Sequence, residues 1–342
     1  MRAWGYKSMQ SLLLNDSPVV SIGLDEQVVV GFITCDREGL ATRTLPPFSF
    51  HVIRFTEEGQ FISEHLVPTS SRNENSIQLL ADGSVVIRAG DRLKLLSPTM
   101  ELISDRDLWP ENRGYLDLRP IVFVSPDRQH FLIHNLKHHD SSIELLYSST
   151  LTAKLQCRFD EYDKPLGLSN RSLLYRTPYA PPTNKFVVAI PCSNIEYEYI
   201  RTDPGNSVAI VNEDLVLTNG PKITFLENSA TKTRWQDSFD THHEVIGDHI
   251  EVNADGSRIA VSVRFFVGEN RFLDISGHLK GMKIVVYRCL DGKRLAEIPV
   301  NPPTPSEFGF SLSPSGDVVA VYADGQLNIT KVAAGSEPPS AR

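Results

Sequence analysis

A stretch near the C-terminus, Ser311 to Thr330 (SLSPSGDVVAVYADGQLNIT), sets three short apolar runs around two turns, Ser-Pro-Ser-Gly and Ala-Asp-Gly. The same grammar returns along the chain. Glu251 to Phe266 (EVNADGSRIAVSVRFF) holds two runs around Ala-Asp-Gly, and Ile121 to Asn135 (IVFVSPDRQHFLIHN) holds two around Ser-Pro-Asp. Ser76 to Ser97 and Ser207 to Glu227 each carry three runs, while Val20 to Thr34 and Pro165 to Thr177 are looser copies. The copies begin roughly 40 to 60 residues apart, a spacing that marks a repeat architecture rather than one irregular domain.

The runs and turns have a common physical basis. Asp-Gly supplies the positive φ of tight hairpins and Ser-Pro sets φ at the first turn position, while the runs are rich in the Val, Ile, Phe and Tyr that strands prefer. No segment keeps a 3.6-residue apolar period over three turns, which excludes βαβ units. Many runs are apolar throughout (QVVVGFI, PIVFV, FVVAI, RIAVSV, KIVVYR, DVVAVY), so these strands are covered on both faces. With no helices to cover them, other sheets must. The expectation is an all-β, seven-bladed β-propeller of four-stranded antiparallel blades, A innermost to D outermost. The blades fall at about 17–67, 75–108, 118–159, 164–201, 206–239, 247–300 and 307–332, in one domain over 1–332, with 333–342 a flexible tail. The last blade lacks a fourth run. Gln10 to Asn15 (QSLLLN) is expected to supply it and so close the ring by an N-terminal strand.

The Ser-Pro-Asp and Ala-Asp-Gly turns, each followed by an apolar strand, resemble those of the TolB-like and WD-repeat β-propellers. The likeness covers nearly the whole chain at the level of fold. The Trp-Asp dipeptide of WD repeats and the doubled glycines of kelch repeats are absent. The resemblance implies a propeller and leaves its activity open, because such folds serve as scaffolds, binders and enzymes.

A net charge of −8 without a Lys/Arg cluster excludes a nucleic-acid or anionic-membrane surface. No apolar stretch reaches the ~20 residues of a spanning helix, so no membrane insertion is expected. The N-terminal residues are too polar for a leader, which leaves a cytoplasmic protein or an exported one whose leader is already removed. Cys35, Cys157, Cys192 and Cys289 are widely and unevenly spaced, which is the pattern of buried free thiols rather than of zinc ligands or a disulfide framework. No cofactor motif and no catalytic motif (G-x-S-x-G, P-loop, dinucleotide fingerprint) is present.

In a four-stranded meander the B–C loops and D–A connections leave from one end, the A–B and C–D turns from the other. The long segments Cys35–Pro47, Asn135–Ser142, Pro178–Asn184 and Phe266–Met282 are assigned as B–C loops, and Trp109–Tyr115 and Asp240–Gly247 as D–A connections. All six belong to one face. That face also carries His138, His139, His242 and His243, with Trp109, Tyr115, Tyr179 and Arg271, and aromatic and Arg side chains are common binding anchors. These eight residues form the predicted site. The first function compatible with them is non-catalytic binding of a protein, peptide or glycan on the long-loop face. The alternative is a metal-assisted hydrolase or lyase with a His-containing site over the central channel on the same face. His134 and His249 lie close to the two histidine clusters.

Overall fold

A computed structural model describes the backbone of residues 11–36, 48–69, 75–108, 121–137, 140–147, 153–158, 164–177, 184–189, 196–201, 207–227, 232–239, 244–266, 279–304, 306 and 308–332. Among them there is no helix. Seven antiparallel sheets follow one another in chain order, at 11–69, 75–107, 121–158, 164–201, 207–238, 244–300 and 310–331. The first six have four strands and the seventh has three, each strand paired with the next in sequence.

Each sheet is too thin to bury its own faces, and the apolar clusters show how they are covered. One cluster joins sheets 1 and 2 through Phe50, Val52, Ile77 and Ile87. Further clusters join sheets 2 and 3, 3 and 4, 4 and 5, 5 and 6, and 6 and 7. A last one joins sheet 7 back to sheet 1, with Val318, Ala320 and Tyr322 against Val20, Ile22, Val28 and Phe32. The Tyr322 and Phe32 rings stack at 6.0 Å. This arrangement explains strands without alternation: Val318–Ala323 is buried at every position because it has a neighbouring sheet on both sides.

The turns between first and second strands are copies of one device. In sheets 3, 6 and 7 a side chain at the turn's first residue caps the backbone N–H five residues on: Ser125 Oγ accepts from His130 (3.0 Å), Asn253 Oδ1 from Arg258 (2.8 Å) and Ser313 Oγ from Val318 (3.0 Å). The residue two positions on caps a second N–H, through Asp127, Asp255 or Ser315. The fourth turn residue has positive φ and is Gly256 (70°) or Gly316 (79°), but Arg128 (60°) in sheet 3. The turns also bond to one another in a belt. Ala81 N–H donates to the Arg128 carbonyl, Asp127 N–H to Asn170 Oδ1, Asn170 Nδ2 to the Ala254 carbonyl and Ala254 N–H to the Pro314 carbonyl, all within 3.0 Å.

Three expectations need correction. Residues 11–15 do not extend the seventh sheet. They open the strand Ser11–Ile22, whose residues 11–14 pair with residues 36–33 of Val28–Asp36. Residues 15–18 bulge opposite Phe32, and this interruption splits one strand into what looks like two apolar runs. Asn135–Ser142 is not a long loop either, since His130–Lys137 and Asp140–Tyr147 stay paired to Lys137↔Asp140. Backbone pairing needs no apolar side chains, so a polar hairpin looks like a loop in sequence. Similarly, the expected connection Asp240–Gly247 ends early, because the strand Glu244–Val252 has already begun.

Candidate functional site

The first strands of consecutive sheets approach one another around a common axis, and their polar side chains meet there. Arg128 lies at the turn end of this axis and is 5% exposed. Its Nη1 donates to Gln78 Oε1 (2.6 Å), and its Nη2 stands 3.6 Å from Glu251 Oε2. Gln78 Oε1 also receives Ser21 Oγ at 3.5 Å, and Ser21 Oγ accepts the Leu79 N–H at 2.9 Å. Glu251 Oε2 accepts from Ser311 Oγ (3.4 Å), and Glu251 Oε1 lies 2.7 Å from His249 Nε2. The cluster thus draws on sheets 1, 2, 3, 6 and 7. It connects sheet 3 to sheet 6, which are not neighbours.

Two backbone features put these side chains in place. Arg128 occupies the left-handed turn position taken by glycine in sheets 6 and 7, at a cost of roughly 1–2 kcal/mol. His249 sits in a bulge, where residues 247–249 face Ser262 alone between the pairs Ile246↔Val263 and Ile250↔Val261. Gly247 lets the two strands approach closely there: a Cβ would lie 2.2 Å from Ser262 Oγ and force that side chain to turn away. The bulge brings the His249 ring against Phe308 and Phe310, with centroids 4.8 and 5.3 Å away.

Burial alone would raise the Glu251 carboxyl. The His249 hydrogen bond, the charges of His249 and Arg128 and the Leu312 backbone N–H outweigh it, and its pKa falls below the ordinary value. Burial lowers the Arg128 pKa against the opposing charges of Glu251 and Asp127, and an arginine so paired stays protonated at neutral pH. Arg128 Nε is buried without a hydrogen-bond partner among the described residues. Exposure rises along the axis from Arg128 through His249, whose side chain is 20% exposed, to Phe308 at 52%. Because Phe308 precedes the first strand of sheet 7, exposure increases toward the end where D–A connections enter. The arrangement can hold and orient a polar ligand. Among the described residues no group of three or more His, Cys, Asp or Glu is placed to hold a metal ion.

The eight predicted site residues, Trp109, Tyr115, His138, His139, Tyr179, His242, His243 and Arg271, lie outside the described residues. The axial cluster is a set the sequence reasoning missed, apart from His249. One signal was available: Arg128 stands where the matching turns of sheets 2, 6 and 7 carry Gly83, Gly256 and Gly316, a departure shared by Glu26 in sheet 1. A second arrangement was also missed. His51 Nε2 lies 2.7 Å from Thr34 Oγ1 and its Nδ1 2.6 Å from Glu64 Oε1. This chain has the order of a nucleophile, base and orienting acid, yet His51 is buried and stacked on Phe32 at 5.0 Å. It braces three strands of sheet 1.

No protein-family model matches the sequence, and no curated protein is similar to it. Solved structures are similar in fold. The β-propeller domain of the Trilobed protease from Pyrococcus furiosus, described as having an open velcro topology, matches with a TM-score of 0.60 and 8% identity, over 98% of this chain and 100% of that one. The chain is a β-propeller. A chain of the Mitotic Checkpoint Complex matches this propeller with a TM-score of 0.55 and 12% identity, over 97% of this chain and 92% of that one. BBS1N in complex with ARL6DN matches with a TM-score of 0.52 and 10% identity, over 98% and 95%. At these identities the likeness concerns the fold of the propeller alone.

Proposed function

We propose that the seven sheets are the blades of one ring, and that the ring binds a protein partner at the end where the B–C loops and D–A connections leave. Seven clusters in cyclic order, the last returning to sheet 1, support the ring. Sheets 7 and 1 meet through that cluster, the Val20 N–H donating to the Phe308 carbonyl (3.0 Å) and Ser306 Oγ donating to the Pro18 carbonyl (2.7 Å), with no strand exchanged among the described residues. One domain over 1–332 with a dispensable tail from 333 follows from this reading.

The observation that carries the binding function is the buried, unpaired Arg128 Nε beneath an axis that becomes exposed toward Phe308. Above the buried Arg128–Glu251 pair the His249 ring packs on Phe308 and Phe310, and the exposed side lies at the end to which the predicted residues are assigned. Trp109, Tyr115, His138, His139, Tyr179, His242, His243 and Arg271 would form the rim of that opening. The solved propeller complexes with protein partners favour a protein over a peptide or glycan. The test is affinity for a purified partner found by crosslinking in the native cell. Replacing His138, His139, His242 and His243 together with Ala should weaken binding at least tenfold without changing the melting temperature. Arg171→Ala, in a turn at the opposite end, should leave binding unchanged. Equal affinity for both variants, or loss only with Arg171→Ala, would place the site elsewhere. A collapse in stability of the quadruple variant would assign the histidines to the fold.

A further inference from the structure

The two ring nitrogens of His249 have different surroundings. Nε2 lies 2.7 Å from Glu251 Oε1. The contacts of Glu251 with His249, Arg128 and the Leu312 N–H hold its carboxyl below the ordinary value, so at neutral pH it is a carboxylate and can only accept. Nε2 therefore carries the hydrogen of this bond, and in the neutral ring Nδ1 keeps a lone pair and no hydrogen. Nδ1 has no hydrogen-bond partner among the described residues. It is not among the polar atoms buried without one either, so it faces solvent. His51 shows the contrast. It too has a carboxylate on one nitrogen, but its other nitrogen is engaged by Thr34 Oγ1 and the residue is 3% exposed. His51 is a closed brace, whereas His249 is an acceptor with its tautomer fixed from behind and its free nitrogen uncovered.

The backbone sets the ring in place. The strand Glu244–Val252 bulges at residues 247–249 while both flanks stay paired, so His249 is re-aimed without loss of the sheet around it. The ring then lies against two phenylalanines of different exposure. Phe310 is buried, and Phe308, with its centroid 4.8 Å away, is 52% exposed. Behind the ring, Glu251 and Arg128 carry opposite charges, so the pair offers an ion no net charge to neutralise. What faces solvent together is one oriented acceptor and one uncovered aromatic ring.

We propose that His249 and Phe308 receive an aromatic side chain with a single polar donor, Tyr or Trp, from the protein partner. Its ring packs on Phe308, and its O–H or N–H donates to His249 Nδ1. Tyr and Trp join an apolar body to a polar tip that needs a partner when buried, and they are common anchors at the centre of interfaces. Phenylalanine has the body without the donor, serine the donor without the body, and lysine a charge that Arg128 opposes. The inference rests on the reading that a protein binds at this end of the ring.

The probes are p-cresol and 3-methylindole, the side chains of Tyr and Trp, titrated into the full chain at about pH 8, where an imidazole is ordinarily neutral. The Cε1–H resonance of His249, assigned by its absence from the spectrum of His249→Gln, is followed by NMR. Both probes should shift it saturably. p-Methylanisole, the same body without the donor, and n-butylammonium, the end of a lysine, should each bind at least tenfold more weakly. No saturable shift with p-cresol, or equal affinity for either comparator, would overturn the proposal. These titrations use the unaltered chain, so none depends on a variant folding. With the crosslinked partner, His249→Gln, which keeps an N–H for Glu251 and an outward acceptor, should bind within about threefold of the unaltered chain, and His249→Leu at least tenfold more weakly. Loss of binding in the quadruple histidine variant but not in His249→Leu would keep the binding face and overturn the anchor. Saturable p-cresol binding at His249, with a partner indifferent to the quadruple variant, would support the anchor and overturn the histidine rim.

Discussion

Two charged clusters in this propeller look alike in composition and differ in what they connect. At the axis, Arg128, Glu251 and Gln78 join sheets that are not neighbours; Arg128 Nε has no partner among the described residues, and the Arg–Glu contact is loose at 3.6 Å. Between sheets 5 and 6, Asp237 accepts from Arg294 Nε (2.7 Å), Tyr287 Oη (2.9 Å) and the Ser238 N–H (2.8 Å). Arg294 also donates to Glu297 at 2.9 Å and lies over the Phe239 ring at 4.4 Å. The second cluster is closed: Asp237 is fully engaged, and its partners belong to two sheets that already pack together. It stitches a junction. The first leaves a buried donor unpaired among the described residues. Structural networks satisfy their members, and a buried group left over points to water, strain or a ligand.

The largest effect that tests this contrast is Arg128→Met, which strands the Glu251 carboxylate. It should destabilise by about 3–5 kcal/mol in chemical denaturation, with much of the loss restored by adding Glu251→Gln. A loss under ~1 kcal/mol would show that the axial pair is already solvated like a surface one. Next comes Gly247→Ala, where the new methyl meets Ser262 Oγ. A cost of about 1–3 kcal/mol is expected, with weaker partner binding as the His249 bulge shifts. Arg294→Met at the junction should cost about 1 kcal/mol or less, because the pair is roughly a third exposed on the arginine side.

Acid titration sharpens the comparison. Burial raises the Asp237 carboxyl, but its bonds to Arg294, Tyr287 and Ser238 outweigh that and lower it, as the contacts of Glu251 lower Glu251. A carboxyl lowered in the folded state contributes stability that is complete above its unfolded value. That contribution is lost as pH falls through the folded value, below about 4. Glu251→Gln and Asp237→Asn should each flatten this acid limb in thermal melts at graded pH. Salt gives the smallest difference: in 1 M salt, with a screening length of about 3 Å, the cost of Arg294→Met should shrink while that of Arg128→Met persists. Equal salt sensitivity would erase the distinction.

Much of the fold is legible in the chain because its signals are local. The caps of Ser125, Asn253 and Ser313 act within five residues, the positive φ of Gly256 and Gly316 within one, and the unbroken apolar run Val318–Ala323 announces cover on both faces. The site is less legible. His130–Lys137 looks half like a loop because its paired end is polar, and residues 11–14 look like a separate strand because the bulge at 15–18 imitates a strand boundary.

The chain alone therefore determines strand, turn and the two-faced burial that demands sheet stacked on sheet, since each depends on residues near in sequence or on hydrophobicity summed over a run. Only the tertiary structure decides that Arg128 meets Glu251 and that residues 11–14 belong to sheet 1. It also decides that Asp237 of sheet 5 meets Arg294 of sheet 6. These contacts join residues far apart in sequence, and they depend on the angle and register at which whole sheets pack, which no local pattern encodes.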